Sequence, residues 1–216
     1  NSRILKKDTL LESNLKKMLN KNTGRIWFIC SFSEHAVILA ILANIIKDLL
    51  PERQIGLIVS HHYRWDSVKD YLKNYFSEII FMPRIFYSLR PVKLWKAFRT
   101  AWRIKNFDIS PNDVLIIASQ PDFVENCFNS YHQNCLRIGL MLNRDFNSYN
   151  MQNWIYTDNS SFRFNKATWF FNKIFEPILG LNRCLYLAFT GMKGFCLNRY
   201  QRPINEIFDQ LIIFHA

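Results

Sequence analysis

An α/β fold on a mainly parallel sheet is predicted by two features of the chain. Five short stretches are apolar at successive positions, so both of their faces are suited to burial rather than one. Segments with the apolar spacing of helices, about 10 to 15 residues each, alternate with them. With 49 % apolar and 16 % aromatic residues, and only six glycines and seven prolines, the composition excludes a disordered or linker-dominated chain.

The elements follow in order. Residues 1–24 form a polar, Lys-rich lead-in with the apolar repeat of a surface helix and no signal-peptide pattern. RIWFICS (Arg25 to Ser31) reads as a buried strand ending in small polar residues. Ser33 stands where an N-cap belongs, and Val37, Ile38, Ile41, Leu42, Ile45, Ile46, Leu49 and Leu50 recur at helical spacing until Pro51 stops them. The pattern repeats with strand Gln54 to Ser60, helix Trp65 to Phe76, and strand Glu78 to Met82 before Pro83. A basic amphipathic helix, Val92 to Asn106, precedes a Pro-Asn-Asp turn and the strand Val114 to Ser119. Helix Phe123 to Tyr131 and strand Leu136 to Leu142 complete the fifth unit. From Asn143 the alternation lapses into a polar loop, Asn147 to Ser161, then aromatic helix Phe162 to Phe175, a helix around Arg183 to Phe189, and a last strand, Gln210 to His215. Right-handed crossovers turn such a chain into a doubly wound, Rossmann-like domain over residues 25–216, with helices on both faces.

The 216 residues suffice for a sizeable core. Lys and Arg number 28 against 17 Asp and Glu, a net charge of +11, which implies an anionic partner. The five cysteines (Cys30, Cys127, Cys135, Cys184, Cys196) lack CxxC or Cys/His ligand spacing and read as reduced, buried thiols. Neither Ala36 to Leu42 nor Pro177 to Thr190 is long and apolar enough to span a bilayer.

In open parallel sheets ligands bind beyond the carboxyl ends of the strands, where helix N-termini present free N–H groups. The segments there are Cys30 to His35, Ser60 to Arg64, Ser119 to Asp122, and Asn143 to Asp145. The first lacks the glycines of GxGxxG and of a P-loop, so neither standard nucleotide cradle is present, and no cofactor is expected. Glu34 and His35 fall in a first helical turn, where an imidazole can serve as base or donor. Alternatively, Glu34 complements the helix dipole and His35 packs on a neighbouring loop. His61 and His62 are adjacent on an extended segment and point apart, so no metal site is expected, although one of them suits a polar cleft. Gln120 and Asp122, flanking Pro121, and the Arg144-Asp145 pair are candidates for contacting substrate hydroxyls; a first-turn carboxylate and a local ion pair are the plainer alternatives.

In the helix Val92 to Asn106, Lys93, Lys96, Arg99 and Arg103 make a charged stripe, while Leu94, Trp95, Phe98, Ala101 and Trp102 supply the other side. Either the apolar side covers the sheet and the cations are solvated, or the helix lies on an anionic membrane surface, with Trp95 and Trp102 at the interface. No RNP, KH, zinc-finger or helix-turn-helix pattern is present, so nucleic acid is not the expected partner.

RIWFICSFSEHAVILAILANII, NDVLIIASQPDFV and LRIGLMLNRDF, in this order, resemble the acceptor-binding N-terminal half of a GT-B glycosyltransferase, over roughly Arg25 to Phe175. The resemblance implies transfer of a sugar from a nucleotide-sugar donor to a polysaccharide or glycolipid acceptor at the cytoplasmic face of a membrane. It implies His35 as base, with Glu34 in reserve, and Asp122, Arg144 and Asp145 facing the interdomain cleft; with Asp122 as a further candidate base, the candidate substrate contacts are then Ser33, His61, Gln120, Arg144 and Asp145. The family's opening loop is usually Gly-rich, unlike this one. Its donor nucleotide is held mainly by a second domain, expected here outside these 216 residues or on a partner chain. A non-catalytic subunit that tethers a partner to membrane, and a nucleotide-sugar epimerase, are the alternatives.

Overall fold

The computed structural model describes residues 13–31, 33–60, 68–85, 91–118, 123–142 and 209–214. Six strands form one sheet: β1 (Ile26–Cys30), β2 (Ile55–Ser60), β3 (Glu78–Met82), β4 (Val114–Ala118), β5 (Leu136–Leu142) and β6 (Gln210–Phe214). Their order is β3-β2-β1-β4-β5-β6, and every neighbouring pair is parallel. The helices are α1 (13–19), α2 (Ser33–Leu49), α3 (Lys69–Leu72), α4 (Pro91–Lys105) and α5 (Phe123–Tyr131). The predicted α/β architecture with a parallel sheet is what is found, and β3, β5 and α5 keep their predicted limits.

Alternate residues of each strand point to opposite faces, and each face has its own core. On one face Ile26, Phe28, Leu57, Val59, Val114, Ile116 and Ile138 pack under Leu15 and Leu19 of α1, Leu39, Ala43 and Ile46 of α2, and Leu72 of α3. On the other, Trp27, Ile29, Ile58, Leu115 and Ile117 pack under Ala97, Ala101 and Ile104 of α4 and Phe123, Val124, Cys127 and Phe128 of α5. Strands covered on both sides need apolar residues at every position, which is why they read as unbroken runs. The second core is strongly aromatic: the Trp27 and Phe107 rings meet edge-on at 5.5 Å, and Phe107 meets Phe128 in the same way at 5.5 Å. Trp27 lies across Gly56, its register partner on β2, so closely that a Cβ at that position would fall inside the indole.

The predicted helix Trp65 to Phe76 is shorter at its carboxyl end. After Leu72 the chain tightens into i→i−3 turns, with Asn74 N–H donating to the Tyr71 carbonyl at 3.3 Å and Tyr75 N–H to that of Leu72 at 3.0 Å. These turns bring Phe76 edge-on to Phe28, at 5.6 Å. Residues 65–67, the loop 147–161, the helices read at 162–175 and 183–189, and Cys184 and Cys196 lie outside the described residues.

At the amino edge of the sheet, buried Asp113 ties β1 to β4. Its Oδ1 accepts from Arg25 N–H at 2.7 Å and its Oδ2 from Ser110 N–H at 3.0 Å, while the Arg25 guanidinium reaches Asp108 at 2.9 Å and lies 5.2 Å over the Trp27 ring. At the far side, Arg137 of β5 holds the approach to β6: its side chain pairs with Asp209 at 3.2 Å, and its backbone N–H donates to the same carboxylate at 2.8 Å.

His132 closes α5 against α4 by donating its Nε2–H to the Ile104 carbonyl at 2.8 Å, its ring stacked on Phe128 at 5.7 Å. Burial lowers its pKa, because the charged form loses solvation that one carbonyl only partly replaces. A base whose folded pKa is depressed favours folding while neutral. Its contribution is therefore complete above the ordinary imidazole value of about 6.5 and is lost as pH falls from there towards the lowered folded value. The urea midpoint of the wild type should drop between about pH 7.5 and about pH 5.5, and that drop should be smaller in His132→Gln. Equal drops in the two proteins would show that other groups carry the dependence.

Candidate functional site

In the sheet β2 and β3 lie on one side of β1, and β4 to β6 on the other. At the carboxyl edge of the β1–β4 join, the chain leaves β1 for the start of α2 and leaves β4 for the start of α5. Such a join is where a parallel sheet opens a crevice lined by helix N-termini.

Ser31, immediately after β1, donates its hydroxyl to Glu125 Oε2 at 2.6 Å, and both residues are buried. This is the short separation of a hydroxyl on a carboxylate. Glu125 stands in the first turn of α5, so the positive end of the helix offsets part of the penalty of enclosing a charge. One step beyond the register pair Cys30 and Val59 come Ser31 and Ser60, both with little exposed surface, so a polar strip runs across the carboxyl edge of an otherwise apolar sheet.

His35 lies in the first turn of α2, half-buried, with Nδ1 enclosed. Ser33 and Glu34 belong to the same turn. The three predicted residues of the first loop thus open α2, shortly after Ser31 in the chain. His61, Gln120, Asp122, Arg144 and Asp145 lie outside the described residues. Ser31 and Glu125 are the two that sequence reasoning does not single out. Ser31 reads as the polar end of an apolar run, and Glu125 as an acid that complements its helix dipole; the unusual feature is an acid between core residues Val124 and Cys127. The bond joins the exit of β1, four residues before His35, to the first turn of α5.

On α4 the structure divides the apolar residues that the sequence groups on one side. Ala97, Thr100, Ala101 and Ile104 are the residues that meet the sheet side, whereas Trp95 is 57 % exposed and Trp102 is 46 % exposed. Small side chains let the helix sit close to the sheet and turn the indoles outward. Lys93, Lys96, Arg99 and Arg103 are exposed, as predicted.

Cys30, Cys127 and Cys135 are buried outside any disulfide, and burial raises the Cys135 pKa to about 11, so that thiol stays protonated and weakly reactive at neutral pH. Among the described residues, no group of three or more His, Cys, Asp or Glu side chains is placed to hold a metal ion, and no helix is long and apolar enough to cross a membrane. Comparison of the chain with protein-family models, curated proteins and solved structures finds no match.

Proposed function

We propose that this chain is the acceptor-side half of a sugar-transferring enzyme of the GT-B kind, a doubly wound, Rossmann-like domain whose carboxyl-edge crevice receives the acceptor hydroxyl. The observation that carries the reading is the all-parallel order β3-β2-β1-β4-β5-β6, which centres the switch of winding on the β1–β4 join, next to the turn bearing His35. In this reading His35 takes the proton of an acceptor hydroxyl as that oxygen bonds to the anomeric carbon of a nucleotide sugar. The bond from that carbon to the diphosphate breaks, and the nucleoside diphosphate leaves with the electron pair. Glu34 and Asp122 are the reserve bases; Ser33, His61, Gln120, Arg144 and Asp145 meet substrate hydroxyls. The donor nucleotide is held by a second domain or a partner chain, and the reaction belongs to polysaccharide or glycolipid assembly on the cytoplasmic side of a membrane.

The test is transfer of label from a panel of nucleotide sugars to glycolipid and polysaccharide acceptors, assayed in membranes of cells that make the protein, where any partner is present. Transfer should depend on this chain, and His35→Ala should slow turnover by at least about 10²-fold, the usual contribution of a positioned base. Wild-type turnover in His35→Ala removes the base. Unmoved label for every donor and acceptor overturns the enzymatic reading in favour of a tethering subunit, and isomerised sugar without acceptor marks an epimerase.

A further inference from the structure

We infer that the outward face of α4 is a docking surface for an anionic lipid bilayer. It rests on the geometry of α4 and the charge of the chain, independently of any sugar-transfer chemistry. No Asp or Glu occurs between Pro91 and Lys105, whereas Lys93, Lys96, Arg99, Arg103 and Lys105 supply five cations on a helix about 22 Å long. The sheet side of the helix is made of Ala97, Thr100, Ala101 and Ile104. Away from it stand Val92, 80 % exposed, with Trp95 and Trp102. Large apolar side chains among cations, on the solvent face of a helix whose other face is already buried, match a helix lying in the headgroup region: indoles at the boundary, cations towards lipid phosphates.

The stacking of the rings selects lipid over nucleic acid. Trp95 stacks on Phe98 at 5.3 Å and 20°, Phe98 on Trp102 at 6.4 Å and 23°, and Lys105 Nζ lies 5.8 Å over the Trp102 ring. Phe98 thus occupies one side of each indole, and Lys105 also lies over that of Trp102. Bases of single strands bind by stacking on open aromatic faces, whereas a bilayer interface asks only for an amphipathic ring body. The net charge of +11 adds the complementarity that an anionic surface requires.

The full chain is tested by flotation with vesicles of phosphatidylcholine alone and of an equimolar mixture with phosphatidylglycerol. It should bind the mixed vesicles and not the neutral ones. W95S/W102S should weaken that partition by at least about tenfold, and so should K93Q/K96Q/R99Q/R103Q. A charge-matched control on the opposite layer and its flank, K16Q/K17Q/K21Q/K47Q, should change it by less than about threefold. All of these side chains are exposed, and circular dichroism confirms that each variant is folded. Wild-type binding by W95S/W102S overturns the inference. Equal losses in the α4 and control charge variants overturn it as well, since diffuse charge would then suffice, and so does tighter binding to a single-stranded RNA that depends on the two tryptophans. Because the readout is vesicle binding, a failed sugar-transfer assay leaves it unaffected.

Discussion

Trp27→Ala should lower the free energy of unfolding by about 3–5 kcal/mol, the loss typical of a large aromatic removed from a core that cannot collapse around the gap. The indole is buried between β2, Phe107 and the α4–α5 layer, all anchored by neighbouring strands and helices. Gly56 gives this prediction a second arm. In the middle of a strand Gly→Ala ordinarily helps slightly, by removing backbone freedom from the unfolded chain. Here the added methyl would collide with Trp27, and Gly56→Ala should instead cost about 1–3 kcal/mol. In the Trp27→Ala background the same methyl enters vacated space, and its penalty should shrink or change sign. Urea unfolding of the four proteins measures this coupling; a Gly56 penalty unchanged by removal of the indole would mean that the strain lies elsewhere.

Removing one partner of the Ser31–Glu125 link should cost about 1–3 kcal/mol, for Ser31→Ala and Glu125→Leu alike, because each substitution removes one side of a hydrogen bond shielded from water. The double variant should be more stable than the sum of the singles implies, by about 1–2 kcal/mol, as expected of groups in direct contact. Full additivity would show that the 2.6 Å contact contributes nothing to stability. Turnover in the proposed sugar transfer supplies an independent reading. If the link holds the turn carrying His35, both single variants should lower kcat with little change in KM, and the double should be no worse than the poorer single.

Much of this architecture is legible in the chain because burial on two faces leaves a simple trace. IWFIC, IGLIVS and VLIIA have no polar interruption until the carboxyl edge, and the intervening helices carry apolar residues at three-to-four spacing. The lateral order of the strands leaves no such trace, since periodicity describes each strand separately. The split of α4 is not legible either: the sequence groups Trp95, Phe98, Ala101 and Trp102 on one side, but packing distance favours Ala97 and Ala101 where a helix lies close against a sheet, and the indoles are left outward. Glu125 is hidden in another way. An acid in a first helical turn is commonplace, and its meaning comes from a serine 94 residues earlier that meets it only after β1 and β4 have paired.

The clamp between Arg137 and Asp209 joins positions 72 apart in sequence. Loop-closure entropy grows only logarithmically, so doubling such a separation adds only about 0.6 kcal/mol to what must be overcome in bringing its ends together. The sixth strand is held by its ladder with β5 and by this ion pair. One carboxylate that grips both the backbone and the side chain of Arg137 therefore sets the register in which the outermost strand joins the sheet.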